Sequence, residues 1–137
     1  MAEELLTIGE LADRTGVATS ALRYWEDLGV LPAPRRVGGQ RRYPPSAVRT
    51  VGAILVLRDA GFTLRDVRTF LAGGDRRGLA RRKLTELDER ITQAEAARTA
   101  IAHALECPHD DITDCPNHTA VVTARLAGVP LGDAHRH

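Results

Sequence analysis

The feature that most limits how this chain can fold is an apolar run beyond its midpoint. Leu84, Leu87, Ile91, Ala94, Arg98, Ile101 and Leu105 recur at alternating steps of three and four, with Arg98 as the single polar member. That spacing is the heptad seam of a coiled coil. A helix from Ala80 to Leu105 would be about 39 Å long at 1.5 Å per residue and cannot cover its own apolar stripe. It needs a partner helix, and in a chain of 137 residues the simplest source is a second copy. Leu84, Leu87, Ile91, Ala94, Ile101 and Leu105 are therefore the expected dimerisation residues, and Pro108 ends the helix.

The first half is punctuated differently. Thr7-Ile-Gly-Glu10 has the pattern of a capping box and opens a short helix from Ile8 to about Arg14. Gly16 supplies a turn, after which a helix starting near Ala18 or Thr19 carries Ala21, Leu22, Trp25 and Leu28 before Gly29 stops it. Two short helices joined by a glycine turn make a helix-turn-helix. From Val30 to Tyr43 there are two prolines, two glycines and four arginines, which predicts a two-stranded wing with Gly38-Gly39 at its tip. Pro45 suits a first helical position ahead of Val48, Val51, Ile54, Leu55 and Leu57, with Gly61 as the stop. Thr63 to Asp66 caps a further helix through Val67, Phe70 and Leu71, ended by Gly73-Gly74. Beyond the long helix, Cys107 to His118 reads as a loop, Ala120 to Leu126 as a short helix, and Gly132 to His137 as a tail without regular structure. The expected domains are a DNA-binding domain (1–74), a dimerisation helix (75–107) and a C-terminal effector loop, short helix and flexible tail (108–137).

Charge narrows the class of function. The net charge is only +1, yet Leu28 to Arg58 holds Arg35, Arg36, Arg41, Arg42, Arg49 and Arg58 and no acid. Lys83 to Cys107 carries more acids than bases. Such segregation gives one region a positive field for phosphates. No segment is apolar enough for a bilayer, and the N-terminus lacks a secretory pattern, so the cytoplasm is the expected location, with reduced cysteines. An enzyme is disfavoured: there is no nucleophile elbow, phosphate-cradling glycine loop or carboxylate pair in a plausible cleft. A sensor of organic cations is disfavoured as well, because no Phe, Trp or Tyr follows Phe70.

The most specific signal is Ala21-Leu-Arg-Tyr-Trp-Glu-Asp-Leu-Gly-Val-Leu31, followed by Gly39-Gln-Arg-Arg-Tyr43. A recognition helix needs small or polar residues at its start, here Thr19 and Ser20, and side chains that fix register on phosphates, here Arg23 and Tyr24. Arg41 and Arg42 supply the cations expected at the wing's tip, Tyr43 completes the expected DNA-contacting set, and Trp25 reads as packing. Arg35 and Arg36 read equally well as solvated loop charges. Over about residues 5 to 118 the chain resembles the mercury-resistance regulator (MerR) family, in which an arginine, two aromatics and a glutamate end the first helices and the wing carries arginine and tyrosine. The resemblance implies a mainly α fold, a winged helix-turn-helix domain followed by a long antiparallel coiled-coil dimerisation helix. It also implies a homodimer that binds a pseudo-palindromic operator in double-stranded promoter DNA and distorts it so that RNA polymerase engages both promoter elements.

Cys107-Pro-His-Asp-Asp-Ile-Thr-Asp-Cys115-Pro resembles the metal-binding loop of the copper-efflux regulators in that family. Two thiolates hold a soft monovalent ion such as Cu(I), whereas adding His109 or His118 would suit tetrahedral Zn(II). A thiol or disulfide redox switch and a purely structural loop remain open beside metal binding, as does a constitutive DNA binder that senses nothing.

Overall fold

The computed structural model describes residues 4–134, and the chain divides into two compact units, Met1–Lys83 and Leu84–His137. The first unit opens with α1 (Ile8–Thr15). Its capping box is complete: the Glu10 N–H donates to Thr7 Oγ1 at 3.0 Å, and the Thr7 N–H donates to Glu10 Oε1 at 3.0 Å. These bonds hold the Glu10 carboxyl below its ordinary range. Gly16 ends α1 with φ 74°, a left-handed conformation that glycine adopts without steric cost. α2 (Thr19–Asp27) follows directly.

The wing is an antiparallel pair, β1 (Arg35–Val37) and β2 (Gln40–Arg42), in the register Arg35↔Arg42, Arg36↔Arg41 and Val37↔Gln40. Both tip residues have positive φ, 60° at Gly38 and 77° at Gly39, as a two-residue turn matched to strand twist requires. At the wing's base Leu6 and Tyr43 exchange backbone hydrogen bonds of 2.7 and 2.8 Å, tying the start of the chain to the end of the hairpin.

α3 spans Ala47–Asp59, two residues later than Pro45 predicts. The Pro44 and Pro45 carbonyls instead accept from the Ala47 and Val48 amides at 2.9 and 3.2 Å, a tight turn ahead of the helix. α4 (Leu64–Leu71) starts where Thr63 Oγ1 accepts from the Asp66 N–H at 3.1 Å.

Two apolar clusters fill this unit. Leu6, Leu11, Leu22, Leu31, Tyr43, Ala47 and Val51 form one, beneath the helix-turn-helix and wing. Val30, Ile54, Phe62, Val67 and Leu79 form the other, between α3, α4 and the start of the next helix. Trp25 packs on both clusters, so its ring is a structural wedge, as the sequence indicates.

α5 (Arg76–Glu106) runs unbroken for 31 residues, starting one turn before the predicted Ala80 and passing from the first unit into the second. Asp75 caps it, accepting from the Gly78 N–H at 2.9 Å. A 3-10 turn (Ile112–Asp114), α6 (Pro116–Leu126) and a helical turn, α7 (Leu131–Ala134), complete the second unit. α6 begins four residues before the predicted Ala120, because Pro116 presets the backbone for a first helical position. The predicted absence of structure from Gly132 also needs correction. Gly132 is buried and donates its N–H to Gln93 Oε1 at 2.9 Å, which seats α7 on α5. The rest of that segment, the histidine-containing 135–137, lies outside the described residues.

The predicted seam on α5 is largely uncovered. Leu84 is 60% exposed, Ile91 54%, Ile101 69% and Leu105 88%; Ala94 is exposed too, and Leu87 is half-buried.

Candidate functional site

Two separate sets of residues carry chemistry, one in each unit. In the first, Ala18 stands at the N-cap of α2 and offers no side-chain acceptor, so the first-turn amides are not capped by a side chain. Amides in that position are donors for an anionic partner. Around them Thr19 is half-buried, while Ser20, Arg23 and Tyr24 are exposed.

The wing departs from expectation. Tyr43 is only 1% exposed and belongs to the core, so it is not a surface contact residue. Its hydroxyl donates to Glu26 Oε2 at 3.1 Å. Burial first, and then the bond to Glu26, push its pKa up to about 12. The same carboxylate oxygen receives Arg41 Nε at 2.9 Å in an ion pair. Glu26 on α2 thus locks both Arg41 and Tyr43, holding β2 against α2. Arg41 and Arg42 are half-buried, Arg42 donating to the Arg41 carbonyl and Gln40 Oε1 at 3.0 and 3.1 Å. Neither is at the tip, where Gly38 and Gly39 sit; the exposed wing cations are Arg35 and Arg36. The register sets Arg35 opposite Arg42 and Arg36 opposite Arg41, two like-charged cross-strand pairs that weaken the hairpin unless an anion neutralises them. Glu26 does this for one arginine, and phosphates are suited to the others.

In the second unit, His103, Cys107 and Cys115 bring one nitrogen and two sulfurs within 4.8 Å of one another. Local structure explains the convergence. His103 and Cys107 are one turn apart, at the end of α5 and just past it, and so share a side of the helix. The turn back is built by Asp111, whose Oδ1 accepts from the Thr113 N–H and hydroxyl at 2.9 and 2.6 Å, bonds that lower its pKa. The Cys115 N–H then closes on the Ile112 carbonyl at 3.1 Å, delivering Cys115 to the start of α6.

Cys115 is buried at 2% exposure, with its sulfur 3.2 Å from His103 Nε2. Its pKa falls from 9.0 to about 6, mainly through the His118 amide in the first turn of α6, then through the His103 imidazole, against the opposing effect of burial. Cys107 is half-buried, with its sulfur 3.1 Å from His109 Nδ1. His109 therefore borders the cluster through Cys107. His118, though half-buried, is not one of the three converging donors and lines an adjoining cavity of about 310 Å³ with His103, Ile112 and Val121. The residue that sequence reasoning missed is His103. Its signal is the four-residue step to Cys107 on a helical face, which belongs neither to the apolar seam nor to the Cys107–His118 loop.

The family model described as "MerR HTH family regulatory protein" matches residues 6–74, and that described as "MerR, DNA binding" matches residues 48–104. An HTH-type transcriptional regulator, HmrR, of Rhizobium leguminosarum bv. viciae is 31% identical over 120 residues, covering 81% of this chain and 93% of its own. The mercuric resistance operon regulatory protein of Bacillus cereus is 32% identical, covering 80% of this chain and 91% of its own. Among solved structures, HiNmlR, a MerR family regulator lacking the sensor domain and bound to promoter DNA, has a TM-score of 0.58 at 18% identity. That alignment covers 92% of this chain and 97% of HiNmlR, a likeness of fold. No helix among the described residues is long and apolar enough to cross a membrane.

Proposed function

This chain belongs to the MerR family of DNA-binding transcription regulators, not to the enzymes, and from that premise we propose that it is a metal-responsive promoter switch. Residues 1–74 bind DNA, 75–107 dimerise and 108–137 receive the effector. A homodimer, paired through antiparallel α5 helices, binds a pseudo-palindromic operator in double-stranded promoter DNA. It changes transcription by distorting that DNA until RNA polymerase engages both promoter elements. Thr19, Ser20, Arg23 and Tyr24 approach the major groove, Arg41 and Arg42 reach phosphates, and Tyr43 holds the wing in place.

The observation that carries the effector half of this reading is the convergence of His103, Cys107 and Cys115. Soft thiolates with a neighbouring imidazole fit a thiophilic ion, Cu(I) or Zn(II). The relatives named as the mercuric resistance regulator and as a heavy metal-dependent regulator of Rhizobium meliloti support this class. When bound, such an ion supplies bonds that join the end of α5 to the start of α6. Cys115, lowered in pKa by the first turn of α6, offers a thiolate near neutral pH. An ion switches the regulator only if it binds two states of the protein with different affinity.

A second reading, a constitutive or redox-responsive regulator, rests on the same pair of neighbouring free thiols. Metal sensing uses His103 as well, which a disulfide does not. The deciding experiment selects operator DNA from a random duplex pool, then measures footprint and transcription with Cu(I), Zn(II) or peroxide. A metal-dependent change in the footprint that disappears in Cys107→Ser/Cys115→Ser supports the metal switch. A wild-type footprint and transcript level that none of the three agents changes establishes a constitutive binder.

A further inference from the structure

Within the metal-sensing reading, on which this step rests, we infer that His103 is a third ligand and that it tunes the site toward a divalent cation of tetrahedral preference, the Zn(II) class. Two thiolates facing one another are sufficient for a monovalent soft ion. His103 has no part in such a site, yet its Nε2 lies 3.2 Å from the Cys115 sulfur, and the three donor atoms fit within 4.8 Å. Ligands of a tetrahedral zinc lie about 3.6–3.8 Å apart, by the usual Zn–N and Zn–S lengths, so the His103–Cys115 pair need open by only a few tenths of an ångström and the widest pair close by no more than about 1 Å. His109 Nδ1 lies 3.1 Å from the Cys107 sulfur, outside the converging trio, and is the neighbouring imidazole that a fourth bond would draw in.

Charge points the same way. Cys115 is buried, and two thiolates with a divalent cation sum to zero, whereas a monovalent cation leaves a net negative charge in a partly dehydrated site. Neutral imidazoles complete the coordination without altering that balance. Among the described residues this is the one group of three or more such side chains with converging donor atoms.

The test uses the reduced full chain under anaerobic conditions. Zn(II) and Cu(I) affinities are measured by chelator competition, and Co(II) serves as a spectroscopic stand-in for zinc. The variants are His103→Ala, His109→Ala and Cys107→Ser/Cys115→Ser, with circular dichroism of each metal-free variant to check its fold. The expected result is tetrahedral d–d absorption with thiolate charge transfer in the Co(II) protein. His103→Ala should abolish that tetrahedral spectrum and weaken Zn(II) by at least the ~10–100-fold seen when even outer-shell partners are removed. Cu(I) binding by the two thiolates should survive in the same variant. Equal Zn(II) affinity and an unchanged Co(II) spectrum in His103→Ala would overturn the inference while leaving thiol-dependent metal sensing standing. Wild-type protein that takes up none of the three ions in a thiol-dependent way would overturn both.

Discussion

The two units solve the burial problem in opposite ways. In the first, Leu11, Leu22, Val51, Ile54 and Val67 are fully enclosed by side chains of the same chain. In the second, the buried ones among the described residues are Ala96, Cys115 and Gly132, while Ile91, Ile101, Leu105 and Leu126 stand in solvent. The contrast separates a unit that encloses its own core from a helical arm whose apolar stripe stays open among the described residues, as the proposed homodimer requires. Under the proposed homodimer, the heptad-spaced seam takes the helix of a second copy as its occupant.

The sharpest way to break this contrast is Ile91→Asp. A charge in the seam should yield a monomer by sedimentation and lower operator affinity by about 10²–10⁴-fold, the loss expected when two linked half-site contacts become one. A variant that remains a dimer would remove the seam from the assembly.

Next is Ile54→Ala, which attacks the other unit. Removing a fully buried side chain should cost about 2–5 kcal/mol, read as a lower midpoint of urea unfolding for the DNA-binding unit. Zn(II) uptake by the second unit should persist; parallel loss of both would show the units to be one cooperative body.

Glu26→Gln sharpens the comparison inside the first unit. It removes the charge that holds Arg41 and the Tyr43 hydroxyl, at about 1 kcal/mol for a pair still partly open to solvent. Wing protection from proteolysis should fall more than global stability. The pH signature follows from Tyr43, whose pKa is raised from 10.0 to about 12. Its contribution is fully present below pH 10 and disappears as pH rises toward about 12. Tyr43→Phe should remove that alkaline loss from a stability-against-pH profile; an unchanged profile would assign it elsewhere.

The smallest effect should be Thr7→Ala, about 1 kcal/mol from the lost cap, measured by thermal unfolding. Because the Glu10 pKa is lowered, its contribution is present above the ordinary carboxylate value and lost as pH falls through the depressed one. The difference between wild type and Thr7→Ala should therefore shrink in acid.

Much of the fold was legible because its signals are short-range. Thr7 with Glu10, Thr63 with Asp66, and the paired glycines at 38 and 39 each act within a few residues, and all formed as expected. Boundaries moved where a proline had two permitted roles: Pro45 sits in a turn, whereas Pro116 starts a helix. The candidate metal site was half legible. Cys107 and Cys115 announced themselves by type and spacing, but His103 belongs to the site only because a loop folds Cys115 back to it, 12 residues along the chain.

Sequence alone thus determined the helical periods, caps, wing turn and uncovered seam, since each depends on spacing along the backbone. Tertiary structure alone decided that Tyr43 is core, that Glu26 disciplines Arg41 from 15 residues away, and that His103 joins the thiols. Burial, pairing and donor convergence depend on distances through space, and a linear pattern of residue types leaves those distances open.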